Sequence, residues 1–369
     1  MERIEFVEGL RSGRLSRRDF HKGLAAAGLV AVTLPLLPRR AAAADLTVFT
    51  WEGYNLPMFY EAYLAQHGAD PEFAIFGEEE EAFQKLRAGF RADLAHPCTQ
   101  SVRRWKDAGL VKPIDTARIE QWERIFPRFL DIRGVGIDGD FYMMPWDWGN
   151  ESILYRTDLV DISEESYALF LDERYKGRFA TFDSVDTMAY LGGLIAGASD
   201  PYNMTDEEIE KAAEIFRKMH ANMRFYWTTV DQVYQALAAG EVVAATAWNE
   251  SVWALKDEGV PVKFMNPKEG IMTWVCGLVL LNEGPGNEDL AYDYLNALLS
   301  PETGASLISE YGYGHSNRDS LGLVDAETLD KIGITDAEAF LAEGHFVDEM
   351  PAETREKLIA LFDEIKAGF

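Results

Sequence analysis

Asp45-Leu46-Thr47-Val48-Phe49-Thr50-Trp51-Glu52-Gly53-Tyr54 opens the part of the chain that reads as folded protein. Its β-branched and aromatic residues alternate up to Trp51, which predicts a first strand, and Gly53 breaks it. Outward from there the pattern repeats. Met58 to Gln66 reads as a helix, Glu72 to Phe76 as a strand, and Glu78 to Phe90 as a helix with acids in its first turn, where the helix dipole favours them. Asp93 to His96 is a short strand ended by Pro97, and Ser101 to Ala108 is a further helix. Strands alternating with helices predict an α/β lobe around a mostly parallel sheet.

The chain is long enough for two such lobes, at 369 residues, and its 47% hydrophobic content excludes a mainly disordered protein. In the second half, Phe141 to Pro145 and Ile153 to Tyr155 read as two strands with an aromatic turn between them. Thr205 is placed to cap a helix running to Ala221, with Asp206, Glu207 and Glu208 in its first turn. Val230 to Ala239, Ser251 to Asp257 and Asp289 to Leu299 read as helices, Val242 to Ala247 and Thr273 to Leu281 as strands. Past Leu321 the chain is acidic and mostly helical. No repeat, low-complexity tract or flexible linker separates the halves, which predicts interleaved lobes with strands crossing between them.

Residues 1–44 read differently. Ser16-Arg17-Arg18-Asp19-Phe20 precedes an apolar run from Gly23 to Pro38 and then Ala41 to Ala44. A charged front, a short apolar core and a small-residue cleavage site together make an export signal. The adjacent arginines resemble a twin-arginine signal, which implies work in the periplasm. The apolar run is interrupted by Gly and Pro and is short for a membrane span of about 20 residues. The net charge is −27 for the whole chain and +4 for residues 1–44, leaving −31 for the remainder. So negative a surface repels nucleic acid and attracts cations.

Several phrases, in order from residue 46 to about 320, resemble the periplasmic spermidine/putrescine-binding proteins of ABC importers. They are Val48 to Tyr54; Leu86-Arg87-Ala88-Gly89 with Asp93-Leu94 and Pro97; Gly109 to Asp115; Pro145-Trp146-Asp147-Trp148-Gly149; Gly240-Glu241-Val242 with Trp248-Asn249-Glu250-Ser251; Pro267-Lys268-Glu269-Gly270 with Trp274; and Gly312-Tyr313 with Asn317. The resemblance implies a type II binding-protein fold: two α/β lobes, each a mostly parallel sheet flanked by helices, joined by hinge crossovers and closing on ligand. It divides the chain into a leader at 1–44, a first lobe at 45–145, a second at 146–273, a return at 274–320, and a C-terminal helical segment at 321–369 packing mainly on the second lobe. It implies an ABC permease as partner and a monomer as the working form.

The same resemblance places Trp51, Tyr54, Trp248, Trp274 and Tyr313 in an aromatic box around a cationic ligand. Aromatic faces attract a cation by about 0.5–2 kcal/mol and cover methylenes as well. The acids depart from the family pattern. Gly53 stands where an acid is expected, with Glu52 beside it; Ser184 and Thr187 stand where a pair is expected, with Asp183 and Asp186 beside them; Cys276 replaces an acid, and Cys98 a small hydroxyl. A buried ammonium without a counter-charge costs on the order of several kcal/mol. The acids available are Glu52, Asp147, Asp183, Asp186 and Glu250, of which Glu52 and Asp183 are the first choices. Cys98 and Cys276 either bond to each other or line the pocket as small apolar groups. The ligand is thus read as a polyamine, or alternatively as another small organic cation such as a quaternary ammonium or amino-acid-like compound. Catalysis is not expected: His96 and His315 lack metal-ligand spacing, and Gly192-Gly193 and Gly284-Pro285-Gly286 lack the lysine of a phosphate loop. No cofactor or metal is implied.

Overall fold

The computed structural model describes residues 45–331, 337, 341 and 345–368. The leader read at 1–44 lies outside them. The strands are β1 (Thr47–Trp51), β2 (Glu72–Phe76), β3 (Leu94–Ala95), β4 (Val111–Lys112), β5 (Gly136–Ile137), β6 (Asp140–Phe141) and β7 (Met144–Arg156). They continue with β8 (Phe179–Phe182), β9 (Met223–Trp227), β10 (Ala244–Trp248), β11 (Val262–Phe264), β12 (Met272–Leu281), β13 (Gly314–His315) and β14 (His345–Phe346). The main sheet runs β2-β1-β3-β12-β7-β10-β8-β9.

Two parallel wings flank an antiparallel centre. β1 is parallel to β2 and β3 on one side, and β8 is parallel to β10 and β9 on the other. Between them, β12 runs antiparallel to β3 and to β7, and β10 antiparallel to β7. The long strands β7 and β12 therefore belong to both wings and form the crossovers. One core lies under the β1–β3 wing, and two more cover the faces of the other wing. Trp274 packs against the first and second cores, and Trp248 against the first and third, so both indoles sit at the junction of the lobes.

Of the two strands expected around an aromatic turn, Phe141 ends β6, while Met144–Pro145 and Ile153–Tyr155 lie in one strand, β7. Every residue from Met144 to Tyr155 is buried, so no inside–outside alternation marks it. The register slips between Cys276 and Gly277, which face Asp147 and Pro145, leaving Trp146 as the extra residue of a bulge. A bulge is where a strand tolerates proline, and Pro145 stands there. β8 and β9 add two strands to those read from periodicity, and the helix Val185–Ala196 follows β8. Thr205 caps the helix Asp206–Asn222 as expected, in a reciprocal box with Glu208. The C-terminal helix Ala352–Lys366 buries Leu358, Phe362 and Ile365 in the second lobe, while Leu321 and Phe346 pack on the first.

Candidate ligand-binding site

Three segments bring four aromatic rings together at the lobe junction. The turn after β1 supplies Tyr54, the segment before β13 supplies Tyr311 and Tyr313, and β12 supplies Trp274. The rings form a chain: Tyr54 to Tyr311 at 5.3 Å, Tyr311 to Tyr313 at 5.5 Å, and Tyr313 edge-on to Trp274 at 4.8 Å. Two glycines permit the approach. Gly53, at φ +89°, lies against the Tyr311 hydroxyl, and a Cβ on Gly149 would sit 2.5 Å from Trp274 Cζ2.

Carboxylates surround these rings. The Tyr54 hydroxyl donates to Asp147 Oδ2 at 2.7 Å, and Asp147 Oδ1 is 2.9 Å from His96 Nε2. His96 Nδ1 meets Thr50 Oγ1 at 3.0 Å, so Asp147, buried at 1% exposure, sits in a fully bonded network. Glu250 follows Asn249, whose side chain spans from the Asn150 N–H to the Gly312 carbonyl. Glu250 Oε1 accepts from Tyr234 and Ser251 at 3.3 Å each, and the Tyr313 hydroxyl acts on the same carboxyl. Burial pushes this carboxyl up to about 7. Burial and then Glu250, Asp147 and Glu52 push the Tyr311 hydroxyl up to about 12. The leading charges on Tyr54, Tyr311 and Tyr313 are all carboxylates or other phenols. The Nε1 atoms of Trp51 and Trp274 are buried without a partner. A ring cluster with acids behind it is suited to an organic cation.

The structure distributes the remaining candidates as follows. Trp51 packs on Phe76 at 4.6 Å. Glu52 is exposed and acts on the site through Tyr311. Trp248 packs on Trp227 and Phe182 at 5.2 and 5.7 Å. Asp183 does not join the ring cluster: its Oδ1 is held by Lys366 Nζ at 2.8 Å, and Asp186 is held by Arg355 at 2.7 Å. Ser184, not either aspartate, caps the helix Val185–Ala196. Cys98 and Cys276 form a disulfide, so neither offers a free thiol. Tyr311 was not singled out from sequence, although the Tyr311-Gly312-Tyr313 spacing holds the signal. Among the described residues no cluster of three or more His, Cys, Asp or Glu could hold a metal ion, and no helix is long and apolar enough to cross a membrane.

A two-lobed α/β fold with an aromatic, acidic junction defines a solute-binding protein. The chain belongs to the bacterial extracellular solute-binding protein family, whose model matches residues 59–331. It is 26% identical over 330 residues to the putrescine-binding periplasmic protein PotF of Escherichia coli (strain K12), covering 85% of this chain and 88% of that one. It superposes with a TM-score of 0.75 on the spermidine/putrescine ABC transporter substrate-binding protein PotD of Streptococcus pneumoniae, at 22% identity over 88% of this chain and 99% of the other. The Atu4243-GABA receptor aligns with a TM-score of 0.65 at 17% identity, over 88% and 97%. The resemblance read from the sequence and the type II fold it implied both stand, and the family is one of binding proteins, not enzymes.

Proposed function

We propose that this protein is the solute-binding subunit of an ABC importer and captures a putrescine- or spermidine-like polyamine between its lobes. One observation carries this reading: Tyr54, Tyr311, Tyr313 and Trp274 meet between the lobes with Asp147, Glu250 and Glu52 as the charges around them. Rings cover the methylenes and carboxylates balance the ammonium groups. Ligand bridging both lobes favours the closed form by its differential affinity, and the closed form is the one delivered to the permease. The likeness to periplasmic putrescine- and spermidine-binding relatives supports the same ligand class. The Arg17-Arg18 leader supports export to the periplasm by the twin-arginine route; Arg17→Lys with Arg18→Lys should leave the protein in the cytoplasm.

Thermal unfolding with putrescine, spermidine, choline and γ-aminobutyrate tests the ligand class. A ligand present at 100 times its Kd stabilises the fold by about 2.7 kcal/mol, which a melting curve resolves. No shift with any di- or polyamine sinks the polyamine reading. The second reading, another small organic cation, draws on Cys276, which sits in a disulfide where the resemblance calls for an acid. A shift with choline or γ-aminobutyrate alone selects it.

A further inference from the structure

The sheet register exposes a second acid that the ring cluster does not use. Directly opposed residues on neighbouring strands point to the same face. Glu151 on β7 is opposite Trp248 on β10 and Met272 on β12, and two residues along the same strand Gly149 is opposite Trp274. Glu151, Trp248 and Trp274 therefore share one face. The Glu151 row lies about 6.6–6.8 Å along the strand from the Trp274 row.

Glu151 is 4% exposed. Its two oxygens accept from the Thr187 hydroxyl at 2.9 and 3.1 Å, and the Thr246 hydroxyl bonds it as well. Thr187 comes from the helix Val185–Ala196, so strand and helix together aim the carboxyl. No lysine, arginine or histidine pairs with Glu151 among the described residues; the charge acting on it is another carboxylate, Asp186. Its burial holds it well above the ordinary range, at about 8, as expected of a buried acid with hydroxyl partners only. The Tyr167 hydroxyl lies in the wall beside it, with Thr187, Thr246 and Met272. Glu250 has different neighbours, Tyr234, Ser251, Gly312 and Tyr313, while Trp274 lies against Gly149, one row along the same face from Glu151.

We propose that Glu151, set by Thr187, receives one ammonium group of the ligand while the Glu250 end receives the other, so that Glu151 selects a cation with two amine ends over one. This rests on the cation-binding reading above and adds the residue that counts the ligand's charges.

Calorimetry with putrescine and with butylamine, its one-amine counterpart, tests it on the full chain and on Glu151→Gln and Thr187→Val. Glutamine keeps the shape and the threonine hydrogen bonds but cannot balance a charge. The expected result is that the wild type prefers putrescine at least tenfold. Glu151→Gln should lose that preference by weakening putrescine at least tenfold more than butylamine, and Thr187→Val should reduce it. Putrescine affinity unchanged in Glu151→Gln overturns the inference and leaves the cation-binding reading standing. If Glu151→Gln does not fold, an unchanged preference in Thr187→Val overturns it instead. A wild type that binds neither amine overturns both readings.

Discussion

Gly149→Ala probes the wall of the site with a single methyl. The added Cβ would stand 2.5 Å from Trp274 Cζ2, 2.9 Å from Trp274 Cε2 and 2.7 Å from Asn249 Oδ1. A carbon–carbon contact settles at about 3.5–4.0 Å, so the indole must retreat by about 1 Å. Gly149 is buried in the middle of β7, and its backbone does not need a glycine conformation, so the effect is steric. Overpacking of this kind costs about 1–3 kcal/mol of stability. Displacing Trp274 also breaks its 4.8 Å edge contact with Tyr313. If the indole supplies a cation–π contact of about 0.5–2 kcal/mol, ligand affinity falls about 2- to 30-fold. Urea unfolding gives the first quantity and putrescine calorimetry the second. Trp274→Ala in the Gly149→Ala background should remove the clash, so the two stability losses should add to less than their sum. Additive losses, or wild-type affinity in Gly149→Ala, would refute the placement of Trp274 over β7.

Three further outcomes are expected. The Cys98–Cys276 disulfide spans 178 residues of sequence, and chain entropy assigns such a loop about 5 kcal/mol; Cys98→Ser with Cys276→Ser should unfold at much lower urea, and equal midpoints would count against the bond. Glu79, Glu151 and Glu250 are raised by burial from an ordinary 4.5 to about 7, 8 and 7, so the folded state holds protons that the unfolded state has released. Their contribution to stability is therefore greatest below about 4.5 and is lost as pH rises through 7–8, and a ligand-free melting temperature that climbs over that range would contradict it. Glu250→Gln should weaken putrescine binding by about 2 kcal/mol, roughly thirtyfold, because it removes the charge opposite a buried ammonium; calorimetry at neutral pH measures it.

Much of the first lobe is legible without coordinates because its signals are local. The alternation in Thr47–Trp51, the break at Gly53, and the acids opening the helix Glu79–Arg87 act within a few residues of one another. The Thr205 cap with Glu208 is local in the same sense. Tyr54, Trp274 and Tyr313, three of the four rings that meet in the cluster, were singled out from the sequence, whereas Trp51 and Trp248 pack on other rings.

β7 was misread because a strand buried on both faces carries no alternation, and its bulge at Trp146 depends on the facing strand β12. The acids could not be sorted by spacing. Asp183 and Asp186 find Lys366 and Arg355, which lie 183 and 169 residues away in sequence, and are drawn into ion pairs outside the ring cluster. Cys98 and Cys276 meet only because β12 returns beside the strand-end after β3. Sequence by itself determined the layered α/β class and the stock of rings and acids, since these follow from composition and short-range pattern. Tertiary structure decided which carboxylates remain without a cationic partner at the lobe junction, because pairing between charges is settled by distances that only the folded chain sets.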